Sequence, residues 1–129
     1  MANGPRIDAP IVVLGGGLAG GNAAVTLREE GFAGRVVLIS REPGVPFGRP
    51  PLSKTYLRSE EELDGWYVKP HDWYRQHDVE LLARSVVGID TSAHTLTLGD
   101  KEELEYQKLL IATGGRNRSL RVPGVELAG

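Results

Sequence analysis

A glycine turn between an apolar strand and a helix constrains the fold of this chain more than any other feature. Residues 15–20 read Gly-Gly-Gly-Leu-Ala-Gly, a G-x-G-x-x-G pattern directly behind the apolar run 11–14. A short apolar run that ends in glycines is typical of a buried parallel strand. Residues 18–30 have apolar side chains at helical spacing and close on Gly31, which predicts a helix. A second apolar run, 36–39, completes a β-α-β unit.

The three glycines of the motif each permit something that a larger residue would prevent. Gly15 allows the tight turn after the strand, Gly17 lets the backbone approach a pyrophosphate, and Gly20 lets the helix and strand pack closely. The pyrophosphate would then lie at the positive end of the helix that begins near Leu18, facing unpaired backbone N–H groups. The pattern therefore predicts a dinucleotide site, but by itself it does not distinguish NAD from FAD.

The residues at the end of the second predicted strand do not determine which side chain contacts the adenosine. An acidic residue that binds the ribose is expected there, about 20 residues after the glycine turn. Ser40 and Arg41 occupy that place, and Glu42 follows one residue later. Glu42 can reach a ribose hydroxyl, Arg41 can favour a 2′-phosphate, or both can simply be solvated surface residues.

The rest of the chain predicts further strands and short helices. A loop rich in proline and glycine covers 43–51, a short helix begins near Leu52, and another covers 70–77. From Val79 the apolar residues alternate, as in half-buried strands. These segments are 79–82, 85–90, 95–98 and 103–106, followed by a buried strand at 109–112. The predicted fold is α/β: a Rossmann-like parallel sheet with an inserted β-meander.

Composition excludes several classes of protein. At 129 residues and 40% hydrophobic content, the chain suits one globular domain behind a loose leader, residues 1–10. A net charge of −2 without a basic run argues against a nucleic-acid partner, and no segment is long and apolar enough to span a membrane. A cytoplasmic protein is the prediction. Without cysteine, and with its three histidines isolated, the chain predicts no metal site.

Three motifs together resemble one group of flavoproteins. They are the glycine turn, Arg-Pro-Pro-Leu-Ser-Lys at 49–54, and Leu-Leu-Ile-Ala-Thr-Gly-Gly-Arg at 109–116. In order and spacing they are similar to the N-terminal FAD segment of the ferredoxin reductases that serve bacterial dioxygenase and cytochrome P450 systems, in the pyridine nucleotide-disulfide oxidoreductase superfamily. The resemblance covers 11–124. It implies that NAD(P)H delivers hydride to FAD, and that the flavin passes single electrons to an iron–sulfur ferredoxin.

The same resemblance implies roles for individual residues. Lys54 matches the lysine beside the flavin ring, where a cation can stabilise the negative charge of reduced flavin. Arg49 matches an arginine near the pyrophosphate, and Val86 a residue that flanks the adenine. Arg41 falls where the family usually has an acidic adenosine contact, and Glu42 is the nearby alternative. The other implied cofactor contacts are Gly15, Gly17, Leu18, Ala19, Gly20, Thr113 and Gly114.

The resemblance also implies how much of a reductase to expect. The wider superfamily has a redox-active cysteine pair near the position of residues 46–54, where this chain has none, so a dithiol relay from this segment is excluded. No second G-x-G-x-x-G follows. We therefore expect residues 11–129 to be the N-terminal part of an incomplete FAD/NAD(P)-binding domain, inactive alone because the NAD-binding and interface domains are absent. The alternative is a stand-alone or truncated FAD-binding module without turnover that pairs with another chain.

Overall fold

A computed structural model describes residues 6–127, and within them the chain forms two sheets and two α-helices. The leader predicted at 1–10 lies partly outside the described residues. In chain order the helices and strands are β1 (Ile11–Leu14), α1 (Leu18–Glu29), β2 (Val36–Ser40), α2 (His71–Gln76), β3 (Val79–Ala83), β4 (Val86–Asp90), β5 (Thr95–Leu98), β6 (Glu103–Glu105) and β7 (Lys108–Ile111).

The larger sheet is parallel and has the strand order β3-β2-β1-β7. Ile11 pairs with Val36 on one side and with Lys108 on the other, and β3 continues the sheet beyond β2. The chain adds strands outward from β1 in one direction and then crosses to its other side. The carboxyl ends of all four strands therefore meet at one edge, with a topological switch point beside β1, where such sheets bind ligands. The predicted Rossmann-like sheet is confirmed.

Both faces of the two central strands are covered, which explains the continuous apolar runs of β1 and β2. On one face Val13 and Leu38 pack with Val25 of α1 and Tyr74 of α2. On the other face Val12 and Ile39 pack with strand β5 of the smaller sheet. Successive strand residues point to opposite faces, so each run must be apolar at every position. Burial also raises the pKa of the Tyr74 hydroxyl to about 12.

Three details of the predicted fold are wrong. The strand predicted to be buried at 109–112 is β7, an edge strand on which Leu110 and Ile111 are exposed. The strand at 79–83 belongs to the parallel sheet, and the antiparallel meander contains only β4, β5 and β6. Because β3 is an edge strand, its Glu80 is exposed while Val79 is buried, and this alternation resembles that of a meander strand. The helix expected from Leu52 is instead a single 3₁₀ turn, Pro50–Ser53.

Between residues 6 and 127, neither α-helix combines the length and the apolar character that a membrane span requires.

Candidate nucleotide-binding site

A cleft of about 700 Å³ lies at the carboxyl edge of the parallel sheet. The ends of β1, β2 and β7 form its floor, and the N-terminus of α1 opens onto it. Arg49 from the loop before the 3₁₀ turn and Val86 at the start of β4 complete its walls. The cleft therefore lies at the edge where the strand order places a ligand.

The three motif glycines occupy three different environments. Gly15 has φ of +125°, and a Cβ there would overlap the carbonyl oxygen of Ala112 in the segment after β7. A Cβ on Gly20 would overlap the carbonyl oxygen of Gly15, so backbone packing requires both glycines. A Cβ on Gly17 would meet no atom within 4 Å. Gly17 therefore leaves free space where the cleft can admit a ligand.

The N-terminus of α1 is prepared for an anion. Gly17 is its N-cap, no side chain caps it, and its first turn contains no acidic residue. The first N–H groups of a helix have no partner within the helix and carry partial positive charge. A diphosphate in the cleft would satisfy these groups, so the backbone fits the predicted pyrophosphate.

The residues after β2 form a linked group at one end of the cleft. Ser40, Arg41 and Glu42 all line it, and the Ser40 hydroxyl accepts a hydrogen bond from the Glu42 N–H at 3.2 Å. The Glu42 carboxylate pairs with Arg49 at 2.8 Å, and the Arg49 guanidinium lies 4.4 Å from the centre of the Phe47 ring. The structure thus joins two residues that the sequence assigned to different parts of the cofactor.

Ten of the twelve predicted site residues line this cleft. Gly20 lies behind the turn, where it packs against Gly15. Lys54 is exposed one turn beyond Arg49 and does not line the cleft, so its place beside a flavin stays a prediction. The ten residues that line the cleft are Gly15, Gly17, Leu18, Ala19, Arg41, Glu42, Arg49, Val86, Thr113 and Gly114.

The sequence reasoning missed several residues of the cleft, of which Arg84 and Arg116 carry charge. Arg84 directly follows β3, and its Nη1 pairs with Asp100 and with Glu102, the latter at 3.2 Å. If β3 had been assigned to the parallel sheet, Arg84 would have been predicted as a cleft residue, because the residue after a strand lies at the carboxyl edge of the sheet. Arg116 is the last residue of the motif at 109–116. The predicted cofactor contacts at Thr113 and Gly114 in the same motif were the signal that could have identified it.

The three histidines are separate from one another and from the cleft lining. His77 stacks on Trp73 with ring centres 4.1 Å apart, and His94 lies beside Tyr106. No cluster of three or more metal-binding side chains occurs between residues 6 and 127.

Together, the parallel strand order, the glycine turn and the uncapped helix define a dinucleotide-binding domain of the Rossmann type. The chain belongs to the pyridine nucleotide-disulphide oxidoreductase family, whose model matches residues 9–129. Proteins of this family use FAD and NAD(P)H. The resemblance that the three motifs indicated is thereby confirmed.

Similar proteins include named electron-transfer reductases. Rhodocoxin reductase of Rhodococcus erythropolis is 45% identical over 120 residues, covering 92% of this chain and 28% of that protein. Rubredoxin-NAD(+) reductase of Pseudomonas putida is 41% identical over 120 residues, covering 92% of this chain and 31% of that protein. The chain therefore spans less than a third of the length of these curated relatives.

Solved structures show the same likeness. Putidaredoxin reductase, in its covalent complex with putidaredoxin, matches with a TM-score of 0.84 and 33% identity, covering 92% of this chain and 29% of that one. The ferredoxin reductase for the CYP199A2 system of Rhodopseudomonas palustris matches with a TM-score of 0.83 and 37% identity, at the same two coverages.

Proposed function

We propose that this chain is the FAD-binding part of an NAD(P)H-dependent flavoprotein reductase. Its electrons would pass to the iron–sulfur ferredoxin of a dioxygenase or cytochrome P450 system. The observation that carries the proposal is the cleft itself, where Gly17 leaves free space in front of the uncapped N-terminus of α1. The names of the relatives support the partner, since they include ferredoxin reductases and a complex with putidaredoxin.

The residues of the cleft fit a dinucleotide in named roles. The backbone from Gly15 to Ala19 would hold the pyrophosphate, with Arg49 supplying positive charge beside it. Arg41 or Glu42 would lie at the adenosine end, and Thr113 and Gly114 would pass along the cofactor. Bound FAD would accept hydride and donate single electrons.

Electron transfer would be direct rather than through thiols. The sequence contains no cysteine, so its own residues offer no disulfide to reduce. Lys54 supports this chemistry if its ammonium reaches the flavin, because a nearby cation favours the reduced, more negative form. The cytoplasmic location indicated by the sequence stays a prediction.

A cofactor titration tests the proposal. FAD is added to the purified 129-residue chain, binding is followed by flavin fluorescence, and retention is checked by gel filtration. We expect one FAD per chain, because the structure describes one such cleft between residues 6 and 127. Loss of FAD during gel filtration would agree with an incomplete domain, whereas a chain that leaves the flavin fluorescence unchanged throughout the titration would contradict the proposal.

The electron donor is tested on the FAD-loaded chain. The single glycine turn of the 129 residues would be occupied by FAD, so we expect NADH to leave the flavin absorbance unchanged. Dithionite, a chemical reductant that needs no binding site, should bleach it. Rapid bleaching by NADH would show that the hydride donor binds within these residues.

A further inference from the structure

Arg84 lies at the same end of the cleft as Arg41 but on the next strand. Ala83 pairs with Ser40 in the register of β3 and β2, so Arg84 and Arg41 follow neighbouring positions at the carboxyl edge. Both residues line the cleft. Because the adenosine ribose of a bound dinucleotide lies near the end of the second strand, Arg84 lies on the adenosine side.

The Arg84 guanidinium is anchored from the turn between β5 and β6. Its Nη1 pairs with the carboxylates of Asp100 and Glu102. That turn is itself tied to the segment after Arg84, since the Gly99 N–H donates to the Ser85 carbonyl at 2.9 Å. The Glu102 N–H also donates to Asp100 at 3.2 Å. The side chain is therefore held by two neighbours rather than free in solvent.

The anchoring leaves part of the guanidinium available. Both ion pairs use Nη1, and within residues 6–127 neither Nε nor Nη2 of Arg84 makes a hydrogen bond. A planar guanidinium can donate to ribose hydroxyls and ring nitrogens, and it can stack on an aromatic ring. Its charge is already matched by the carboxylates of Asp100 and Glu102, so it does not require a phosphate as its partner.

We propose that Arg84, positioned by Asp100 and Glu102, contacts the adenosine half of the bound dinucleotide. The proposal rests on the proposed function, because it requires a dinucleotide in this cleft. It also gives the smaller sheet a role in binding, since the meander supplies both carboxylates that hold the guanidinium.

Titrations with ADP and FAD test this role, and the ADP titration decides it. ADP contains the adenosine and diphosphate without the flavin. Replacing Arg84→Met should weaken ADP and FAD binding about tenfold, the scale expected for hydrogen bonds from a charged group. The double variant Asp100→Asn, Glu102→Gln keeps Arg84 but removes the two carboxylates that hold its guanidinium. It should weaken ADP binding about threefold. FMN, which lacks adenosine, should bind Arg84→Met as it binds the wild type.

Arg35→Met provides the matched control. Arg35 pairs with Glu80 of β3 at 3.1 Å and, like Arg84, is an exposed arginine in an ion pair, but it lies at the opposite edge of the sheet. We expect unchanged ADP binding. If Arg84→Met does not fold, the ADP titration is done on Arg84→Lys, which keeps the charge and loses the planar group.

The outcomes separate the two proposals. Wild-type ADP affinity in a folded Arg84→Met chain would overturn the role of Arg84 and leave the proposed function intact. An equal loss of FMN and ADP affinity would indicate a general structural effect and would also overturn it. A wild-type chain that binds neither FAD nor ADP would overturn the proposed function and this inference together.

Discussion

The glycine turn and the loop at residues 49–54 both contribute to the cleft, the loop through Arg49 alone, but they are determined in different ways. In the turn, Gly15 and Gly20 are required by contacts between backbone atoms inside the chain. In the loop, Arg49 is about half exposed, and Lys54, five residues later, is exposed. Gly15 and Gly20 are specified by packing, whereas the loop has exposed side chains for which we propose a ligand as the partner. Mutations of Gly15 and Gly20 should therefore affect stability, whereas mutation of Arg49 should affect binding.

The largest expected effect concerns Gly20. Replacing Gly20→Ala places a methyl group against the Gly15 carbonyl, and relieving that overlap should lower the free energy of unfolding by about 3 kcal/mol. The expected loss exceeds the roughly 1 kcal/mol by which alanine normally favours a helix. Urea unfolding measures it, with Asn22→Ala at an exposed position of the same helix as control. Equal stability of the two variants would show that the turn is not set by packing.

The packing beneath the turn is tested by pH. Tyr74 is buried beside Val13 and Val25, and burial raises the pKa of its hydroxyl to about 12. A raised pKa favours the fold below the unfolded value near 10, and this stability is lost as pH rises towards 12. Over that range the wild type should lose about 2 kcal/mol more than Tyr74→Phe. Tyr56→Phe, at an exposed position, should follow the wild type; a matching curve for Tyr74→Phe would contradict the burial.

Gly17 tests whether the turn has a binding role that is separate from packing. A Cβ there meets no protein atom, so Gly17→Ala should change stability by at most about 1 kcal/mol, the cost of alanine at an N-cap. The methyl group would occupy the path of the pyrophosphate, and FAD affinity should fall more than tenfold, or about 1.4 kcal/mol. Gly65→Ala, also in open space, is the control. Unchanged FAD affinity in Gly17→Ala would place the pyrophosphate elsewhere.

Arg49 tests the loop side of the comparison. Its ion pair with Glu42 is exposed, so Arg49→Gln should cost less than about 1 kcal/mol of stability. FAD affinity should fall about tenfold, and the difference from the wild type should shrink at high salt. Arg58→Gln breaks a similar exposed pair, with Glu60, and should leave FAD binding unchanged. Equal losses of FAD affinity in Arg49→Gln and Arg58→Gln would show that Arg49 has no specific role in FAD binding.

Lys54 should give the smallest effect. If its ammonium reaches the flavin, Lys54→Gln should lower the midpoint potential of bound FAD by about 15 mV, or about 0.7 kcal/mol for two electrons. FAD affinity should change little. Lys108→Gln, at an exposed lysine at the amino end of β7, is the control. An unchanged potential in Lys54→Gln would confine the role of the loop to Arg49.

The same distinction explains what the sequence could predict. The β-α-β unit and its three glycines were predictable because each follows from local packing and backbone geometry. The position of β3 was not, since an exposed edge strand alternates as a meander strand does. Arg84, which directly follows β3, was therefore not predicted as a cleft residue. The pairing of Glu42 with Arg49 joins the end of β2 to a separate loop, and such a contact depends on tertiary structure rather than on local pattern.

The central claim is that a dinucleotide binds at the carboxyl edge of the sheet with its diphosphate on the glycine turn. The most direct test is a ¹H–¹⁵N correlation spectrum of the chain titrated with ADP. We predict that the amide signals of Gly15, Gly17 and Ala19 shift with a single saturating curve, while those of Gly31 and Gly65 do not move. Shifts confined to other residues, or no shifts at all, would contradict the account.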